Sequence, residues 1–284
     1  MKATKRLRQL LAEANPIVAP GAFDGLSARL VEAAGFDVVY ASGGAIARGA
    51  GYPDIGLLSL TEVVERIGTM VDVTSIPVIA DADTGFGGSP NVQRATRLFE
   101  RAGVAGFHIE DQQFPKRCGH LDDKTLITTA EMRHKIRLVR DSLNDPDFVV
   151  IARTDAIAVE GFDAAIARAQ AYAEAGADMI FVEAPETVEQ IERIAAEISA
   201  PKLINMFHGG KTPMVPVDRL KALDYRIIII PSDLQRAAIR AMQETLSAIR
   251  QNGDSARVSD QLATFKEREL IIGTEQYLAL DTLE

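Results

Sequence analysis

One unit recurs along the chain: an amphipathic segment, a stop ending in glycine, a short apolar run, then a cluster of polar residues. Ala33-Ala34-Gly35-Phe36-Asp37 leads into Val38-Val39-Tyr40, and Arg101-Ala102-Gly103-Val104-Ala105-Gly106 into Phe107-His108-Ile109. Glu174-Ala175-Gly176-Ala177-Asp178 leads into Met179-Ile180-Phe181-Val182. Glycine just past a helix adopts the left-handed conformation that closes the last turn. The apolar runs are continuous rather than alternating, as strands buried on both faces require.

Eight such runs occur, at Ile17–Ala19, Val38–Tyr40, Val78–Ala80, Phe107–Ile109, Val149–Ala152, Ile180–Val182, Leu203–Ile204 and Ile227–Ile230. Helical patterns separate them, among them Asp24–Ala34, Thr61–Val71, Asn91–Ala102, Ala130–Ser142, Phe162–Ala175, Val188–Ile198 and Leu234–Ile249. Asp24, Thr61, Thr129 and Ser232 are the expected N-caps. Eight alternating units predict an α/β fold of the (β/α)8 barrel type in one domain over residues 1–284. A doubly wound open sheet is the runner-up. Residues 251–284 read as a partly helical extension that packs on a neighbouring subunit.

The bulk properties narrow the function classes. A net charge of −9 argues against general nucleic-acid binding, which needs a basic face. No stretch approaches the roughly 20 apolar residues of a membrane span, and the basic start Met1-Lys2-Ala3-Thr4-Lys5-Arg6 has no signal-peptide core behind it. The single cysteine rules out an intrachain disulfide framework and fits a reducing compartment, so a cytoplasmic location is expected.

In a barrel of this type the site forms where the strands end. Here seven strands run straight into polar clusters: Tyr40-Ala41-Ser42-Gly43-Gly44, Asp81–Gly85, Glu110-Asp111, Arg153-Thr154-Asp155, Glu183, Asn205, and Pro231-Ser232-Asp233 with Arg236 beyond. Any one cluster reads more plainly as a helix cap or a strand-end salt bridge; seven on one edge read as a site. Asp81 and Asp83 are placed for one to bind a metal while the other holds its water, with Asp54 and Glu110 acting from farther out. Hard oxygen donors without neighbouring His or Cys spacing favour Mg²⁺, or Mn²⁺, over Zn²⁺. Ser42-Gly43-Gly44 could present backbone N–H groups to a carboxylate. Cys118 sits in Lys116-Arg117-Cys118-Gly119-His120, where the basic neighbours would lower a thiol pKa. The polar connection Gln112–Asp123 around it reads as a lid. His108 lies inside an apolar run and reads as a satisfied core histidine. Strand six ends in Glu183 rather than lysine, so a Schiff-base mechanism lacks its nucleophile.

These motifs together resemble the isocitrate lyase/phosphoenolpyruvate mutase superfamily. The branch they are most similar to contains 2-methylisocitrate lyase, 2,3-dimethylmalate lyase and the petal-death-type lyases. The resemblance is carried by Ser-Gly-Gly (42–44), Asp-Ala-Asp-Thr-Gly (81–85), His-Ile-Glu-Asp (108–111), Lys-Arg-Cys-Gly-His (116–120), Ala-Arg-Thr-Asp (152–155) and Glu-Ala (183–184). It implies a helix-swapped barrel in a homotetramer, with Mg²⁺ at Asp83 and with Asp81, Asp54 and Glu110 around its waters. It implies that Ser42, Gly43 and Gly44 hold the carboxylate of the pyruvate-forming part, and that Arg153 neutralises the oxyanion. Cys118 becomes the general acid, supported by His120 and Glu183. Gly119, Glu183 and Asn205 line the other half, and Arg236 meets a carboxylate. Lys116 and Arg117 of the thiol motif, and Tyr40 at the second strand end, complete the expected substrate-binding set.

Two departures bear on the substrate. Phe265 stands where methylisocitrate lyases carry an arginine, and Asn205–Pro213 is closer to the dimethylmalate and petal-death type. The expected activity is Mg²⁺-dependent carbon–carbon cleavage of a 2-hydroxy dicarboxylate to pyruvate or another 2-oxo acid plus a carboxylate. A 2-alkylmalate is favoured over 2-methylisocitrate. The general base stays open among Tyr40, a carboxylate and a metal-bound water. Alternatives are an oxaloacetate hydrolase or decarboxylase on the same scaffold, and a non-catalytic metal- or metabolite-binding barrel.

Overall fold

The computed structural model describes residues 1–119, 121 and 123–281. Eight parallel strands close into a barrel in sequence order: β1 (Ile17–Ala22), β2 (Val39–Ala41), β3 (Val78–Asp81), β4 (Gly106–Glu110), β5 (Val149–Thr154), β6 (Met179–Val182), β7 (Lys202–Asn205) and β8 (Tyr225–Ile230). Closure comes from pairing the first strand with the last, Ile17 opposite Ile227 through Pro20 opposite Ile230. The doubly wound sheet is thereby excluded, since it would leave two edges.

Each apolar run forms a strand because both of its faces are covered, and alternate residues go to different cores. Val39, Ala41, Phe107 and Ile109 join the layer between strands and helices. Tyr40, Ile79, Ile151, Phe181, Leu203 and Ile229 fill the barrel interior. Burying such a side chain stabilises by roughly 1.5–3 kcal/mol. Leu7 and Leu10 of the helix Ala3–Ala12 belong to the interior cluster and plug its lower end. The first helix is thus part of the core on one face.

Gly35, Gly103 and Gly176 all have φ between 84° and 108°, in the left-handed region the repeated stop requires. Two caps differ from expectation. Ser59 and Thr128, not Thr61 and Thr129, cap their helices; each accepts from the backbone N–H three residues on, while a glutamate there reaches back. These are capping boxes, read from the Ser/Thr-x-x-Glu spacing. Ser232 stands at the N-cap position of Asp233–Asn252 but makes no side-chain cap bond. Asp24 caps Gly25–Ala33 as expected. Beyond residue 252 the chain forms a short 3-10 turn and the helices Phe265–Ile272 and Thr274–Ala279. The helix Phe265–Ile272 packs on Gly25–Ala33 of the same barrel. Among the described residues no helix is long and apolar enough to cross a membrane.

Candidate active site

The interior parity of each strand delivers its polar end residue to one place. Two residues beyond an inward apolar or aromatic side chain lies an inward polar one: Tyr40 then Ser42, Ile79 then Asp81, Ile151 then Arg153, Phe181 then Glu183, Leu203 then Asn205. The polar residue of each pair, with Tyr40, lines a cavity of about 300 Å³ at the C-terminal end of the barrel. Gly44, Asp54, Lys116, Cys118, Gly119 and Arg236 also line it. Asp81, Asp54 and the thiol loop therefore face one pocket.

The expected residues outside the cavity wall fall in two groups. Gly43, Asp83 and Glu110 lie behind it. A Cβ on Gly43 would stand 2.7 Å from Asp81 Oδ2, so glycine permits the close approach. Glu110 is fully buried, with Arg153 Nε 3.3 Å from its carboxylate and, among the described residues, no hydrogen bond to either oxygen. Arg117 points away, half exposed and 3.7 Å from Asp123. Its backbone is clamped by Gln112, whose amide accepts from Arg117 N (2.9 Å) and donates to Arg117 O (2.8 Å). His120 lies outside the described residues. Phe265 is on the surface, 73% exposed, and does not line the cavity of its own chain.

Ser42 caps the helix Gly43–Gly49, accepting from Ala45 N at 3.3 Å, so the cap reading and the ligand reading describe the same segment. The first N–H groups of that turn have no partner within their own helix. Lys116 does not sit on the thiol. Its ammonium is buried between Asp54, which it contacts directly, and Asp83 Oδ1 at 2.8 Å. Asp83 has φ 46° and donates its N–H to Asp81 Oδ1 at 2.9 Å. Aspartate tolerates that strained region better than most side chains.

Arg153 is held as a fork by Asp155, with Nε and Nη2 at 2.8 and 3.0 Å from its oxygens. Asp155 also takes Lys124 Nζ at 2.9 Å, and that ammonium donates to the carbonyl of Gly119. Gly119 itself lies against Arg153 and Glu183; a Cβ there would stand 2.5 and 2.7 Å from their atoms. Only a residue without a side chain brings the thiol loop this near the arginine.

The electrostatics are unbalanced toward acid. Burial pushes Asp83 up to about 6, with Lys116 opposing and the Asp81 and Asp54 charges adding. Burial likewise raises Asp81, and raises Glu110 well above the usual carboxylate range although Arg153 opposes it. Asp155 behaves oppositely: against the penalty of burial, Arg153 and Lys124 hold it at about 2. Carboxylates that close in a buried pocket, with three of their oxygens (Asp83 Oδ1 and both of Glu110) making no hydrogen bond among the described residues, fit a hard divalent cation. Among the described residues no three His, Cys, Asp or Glu side chains converge tightly enough to ligate one ion. An ion held by one or two carboxylates and several waters, as Mg²⁺ prefers, matches that arrangement.

Several lining residues were not anticipated. Arg48, Gln235 and Ile239 come from helices, and Phe207 from a strand-end loop. Gln235 is buried and donates to Ala45 O at 2.7 Å, tying the last barrel helix to the Ser42 turn. No motif marks the helical positions; Phe207, two residues past β7, was within reach of the strand-end rule.

Residues 7–250 match the family model described as phosphoenolpyruvate phosphomutase. The chain is 42% identical over 277 residues to a 2,3-dimethylmalate lyase of Eubacterium barkeri, covering 97% of this chain and 96% of that one. It is 42% identical over 271 residues to a 2-methylisocitrate lyase of Aeropyrum pernix, covering 95% and 87%. A solved oxaloacetate acetylhydrolase, in complex with 3,3-difluorooxalacetate, superposes with a TM-score of 0.93 at 34% identity, covering 99% and 96%.

Proposed function

The chain belongs to the phosphoenolpyruvate mutase/isocitrate lyase superfamily and is a carbon–carbon lyase; from that premise we propose that it cleaves a 2-alkylmalate to pyruvate, or another 2-oxo acid, and a second carboxylate. The carrying observation is the meeting of Cys118, Arg153 and the Asp54/Asp81 carboxylates around one small cavity. Phe207 and Ile239 give that cavity an apolar side suited to an alkyl group. The dimethylmalate lyase relative supports the same substrate class.

A general base takes the proton of the substrate's 2-hydroxyl, the C2–C3 bond breaks, and the 2-oxo acid forms at C2. The bonding pair goes to C3, where the second fragment becomes a carboxylate-stabilised carbanion. Cys118 Sγ supplies the proton that quenches it. Arg153, locked by Asp155, is a fixed cation for the oxygen that gains charge. The backbone N–H groups of Ser42-Gly43-Gly44 receive the carboxylate of the pyruvate-forming part, while Asn205, Glu183 and Arg236 serve the other half. Mg²⁺ or Mn²⁺, held through Asp83 and Asp81 with Asp54 and Glu110 around its waters, would supply Lewis-acid stabilisation of the 2-oxygen.

Hydrolysis of oxaloacetate on the same scaffold is the second reading, supported by the acetylhydrolase superposition. We further propose a homotetramer acting in the cytoplasm. The exposed Met242, Leu246 and Ile249 on the last barrel helix, with Leu270 and Leu278 beyond it, support subunit packing there. The test is Mg²⁺-dependent pyruvate release from 2,3-dimethylmalate, 2-methylisocitrate and other 2-alkylmalates, with oxaloacetate in parallel. The highest kcat/KM is expected for a 2-alkylmalate. A strong preference for 2-methylisocitrate overturns the alkylmalate assignment, and oxalate release from oxaloacetate as the dominant reaction replaces the lyase reading.

A further inference from the structure

Beneath the cavity floor lies a buried pair that the cleavage scheme leaves unused. His108 points into the barrel interior from β4 and is fully buried. Its Nε2 is 2.8 Å from the hydroxyl of Tyr40, which lines the cavity above. The two rings stack at 5.8 Å, and Phe181 packs edge-on against the imidazole at 5.6 Å. Nε2 is also 3.6 Å from Asp81 Oδ1, whereas Nδ1 has no hydrogen-bond partner among the described residues.

A neutral imidazole has one N–H and one lone pair, and full burial with no acceptor facing Nδ1 among the described residues leaves no place for a second N–H. With the proton on Nδ1, a buried N–H would be orphaned and the Nε2 lone pair would face the Asp81 carboxylate. With the proton on Nε2, the N–H donates to Tyr40 and lies near the Asp81 charge, and only a lone pair at Nδ1 is unmatched. Orphaned buried donors are rarer than under-satisfied acceptors, and the nearby anion favours the same tautomer. The oxygen of Tyr40 then accepts from below, so its own O–H is free to turn toward the cavity.

We propose that His108 is a positioning residue that commits Tyr40 to donate a hydrogen bond to a substrate oxygen, rather than to accept the substrate's proton. Tyr40 thereby acts beside Arg153 on the oxygen that gains charge, and the general base lies elsewhere. Burial, with Asp81 adding, raises the Tyr40 pKa well above that of a free phenol, in keeping with a group that retains its proton. The role assigned to Tyr40 in turnover rests on the lyase reading; the tautomer and its coupling to anion binding do not.

Selective ¹⁵N-histidine labelling of the full chain, with long-range ¹H–¹⁵N correlation, reads the tautomer directly. The chain has four histidines, and the His108 signals are assigned by their loss in His108→Gln or by contacts to the Tyr40 and Phe181 rings. Protonation at Nε2 is expected; an Nδ1–H tautomer overturns the proposal. The second arm measures binding of oxalate, a planar dianion resembling a 2-oxo acid enolate, in the presence of Mg²⁺. Tyr40→Phe and His108→Leu should each weaken it about tenfold or more, and the double variant no further. His108→Gln, whose amide N–H can replace the imidazole donor, should stay within about threefold of wild type. Additive losses, or equal losses in His108→Gln and His108→Leu, overturn the positioning role. An Nε2 proton with coupled oxalate binding, in a protein that cleaves no 2-hydroxy dicarboxylate, would refute the proposed reaction alone.

Discussion

Both ends of the barrel carry charged side chains, and they treat them in opposite ways. At the N-terminal end, cations finish on carbonyls and paired carboxylates. Arg8 donates to the carbonyls of Asp147 and Phe148 at 3.0 and 3.1 Å and reaches Asp178 at 2.9 Å. Arg226 donates to Leu11 O, and the buried Lys202 to Ile198 O and Ala200 O. At the C-terminal end, Asp81, Asp83 and Glu110 are forced together with their pKa values raised, and the Glu110 carboxylate makes no hydrogen bond among the described residues. A charge whose partners are complete stabilises a fold. A charge left incomplete in a cavity is a cost that persists where something outside the chain completes it.

Cys118→Ser probes this contrast with the largest expected effect. Turnover should fall by roughly 10²–10⁴-fold, the contribution typical of a positioned acid. Oxalate affinity and thermal midpoint should stay at wild-type values, measured by calorimetry. Wild-type turnover in this variant would remove the thiol from the reaction. Asp83→Asn comes next. Metal affinity, read by Mn²⁺ binding, should fall about 10–100-fold or more, while the metal-free protein becomes no less stable. Unchanged Mn²⁺ affinity would mean that the acidic end is not a metal site.

A pH experiment sharpens the comparison further. Asp83 has a native pKa of about 6 against an ordinary 3.8, so between these values the folded protein holds a proton that the unfolded chain has released. Metal-free stability should therefore fall as pH rises from about 4 to about 6 and level off above. Asp54 and Asp155 are shifted downward, so their contributions persist through that window and fade only at lower pH. Asp83→Asn should lose this part of the slope, and Mg²⁺ should restore the wild-type midpoint at neutral pH. A midpoint that rises from pH 4 to 6 in both proteins alike would contradict the assignment. The smallest effect belongs to the other end. Arg8→Ala should cost about 1–2 kcal/mol, a fall of a few degrees in thermal midpoint, with kcat and KM unaltered. A change in kcat would show that the lower end is not merely structural.

Most of this architecture is legible in the residues because one pattern is repeated often enough to average out local ambiguity. The strands were found from continuous apolar runs, and the glycine stops from their need for positive φ. The polar strand ends were legible for the same reason: Ser42, Asp81, Arg153, Glu183 and Asn205 follow runs whose end is easy to see. Strand parity was harder to read, because a run buried on both faces has no alternation to announce which side is inward. So Asp81 in the wall and Asp83 behind it are distinguished only by the fold. Arg48, Gln235 and Ile239 were silent because a helical side chain reaches the cavity by how its helix is packed. His108 was half legible: its burial followed from the apolar run, its pairing with Tyr40 from a neighbour 68 positions away.

The seam between β1 and β8 has a consequence for biosynthesis. Residues 17–20 wait for residues 227–230, so a ribosome must make nearly the entire barrel before its first strand acquires its second neighbour. Until then the nascent sheet has two raw margins open to pairing with other chains. A product truncated ahead of Tyr225 should accumulate as aggregate rather than as a smaller soluble protein.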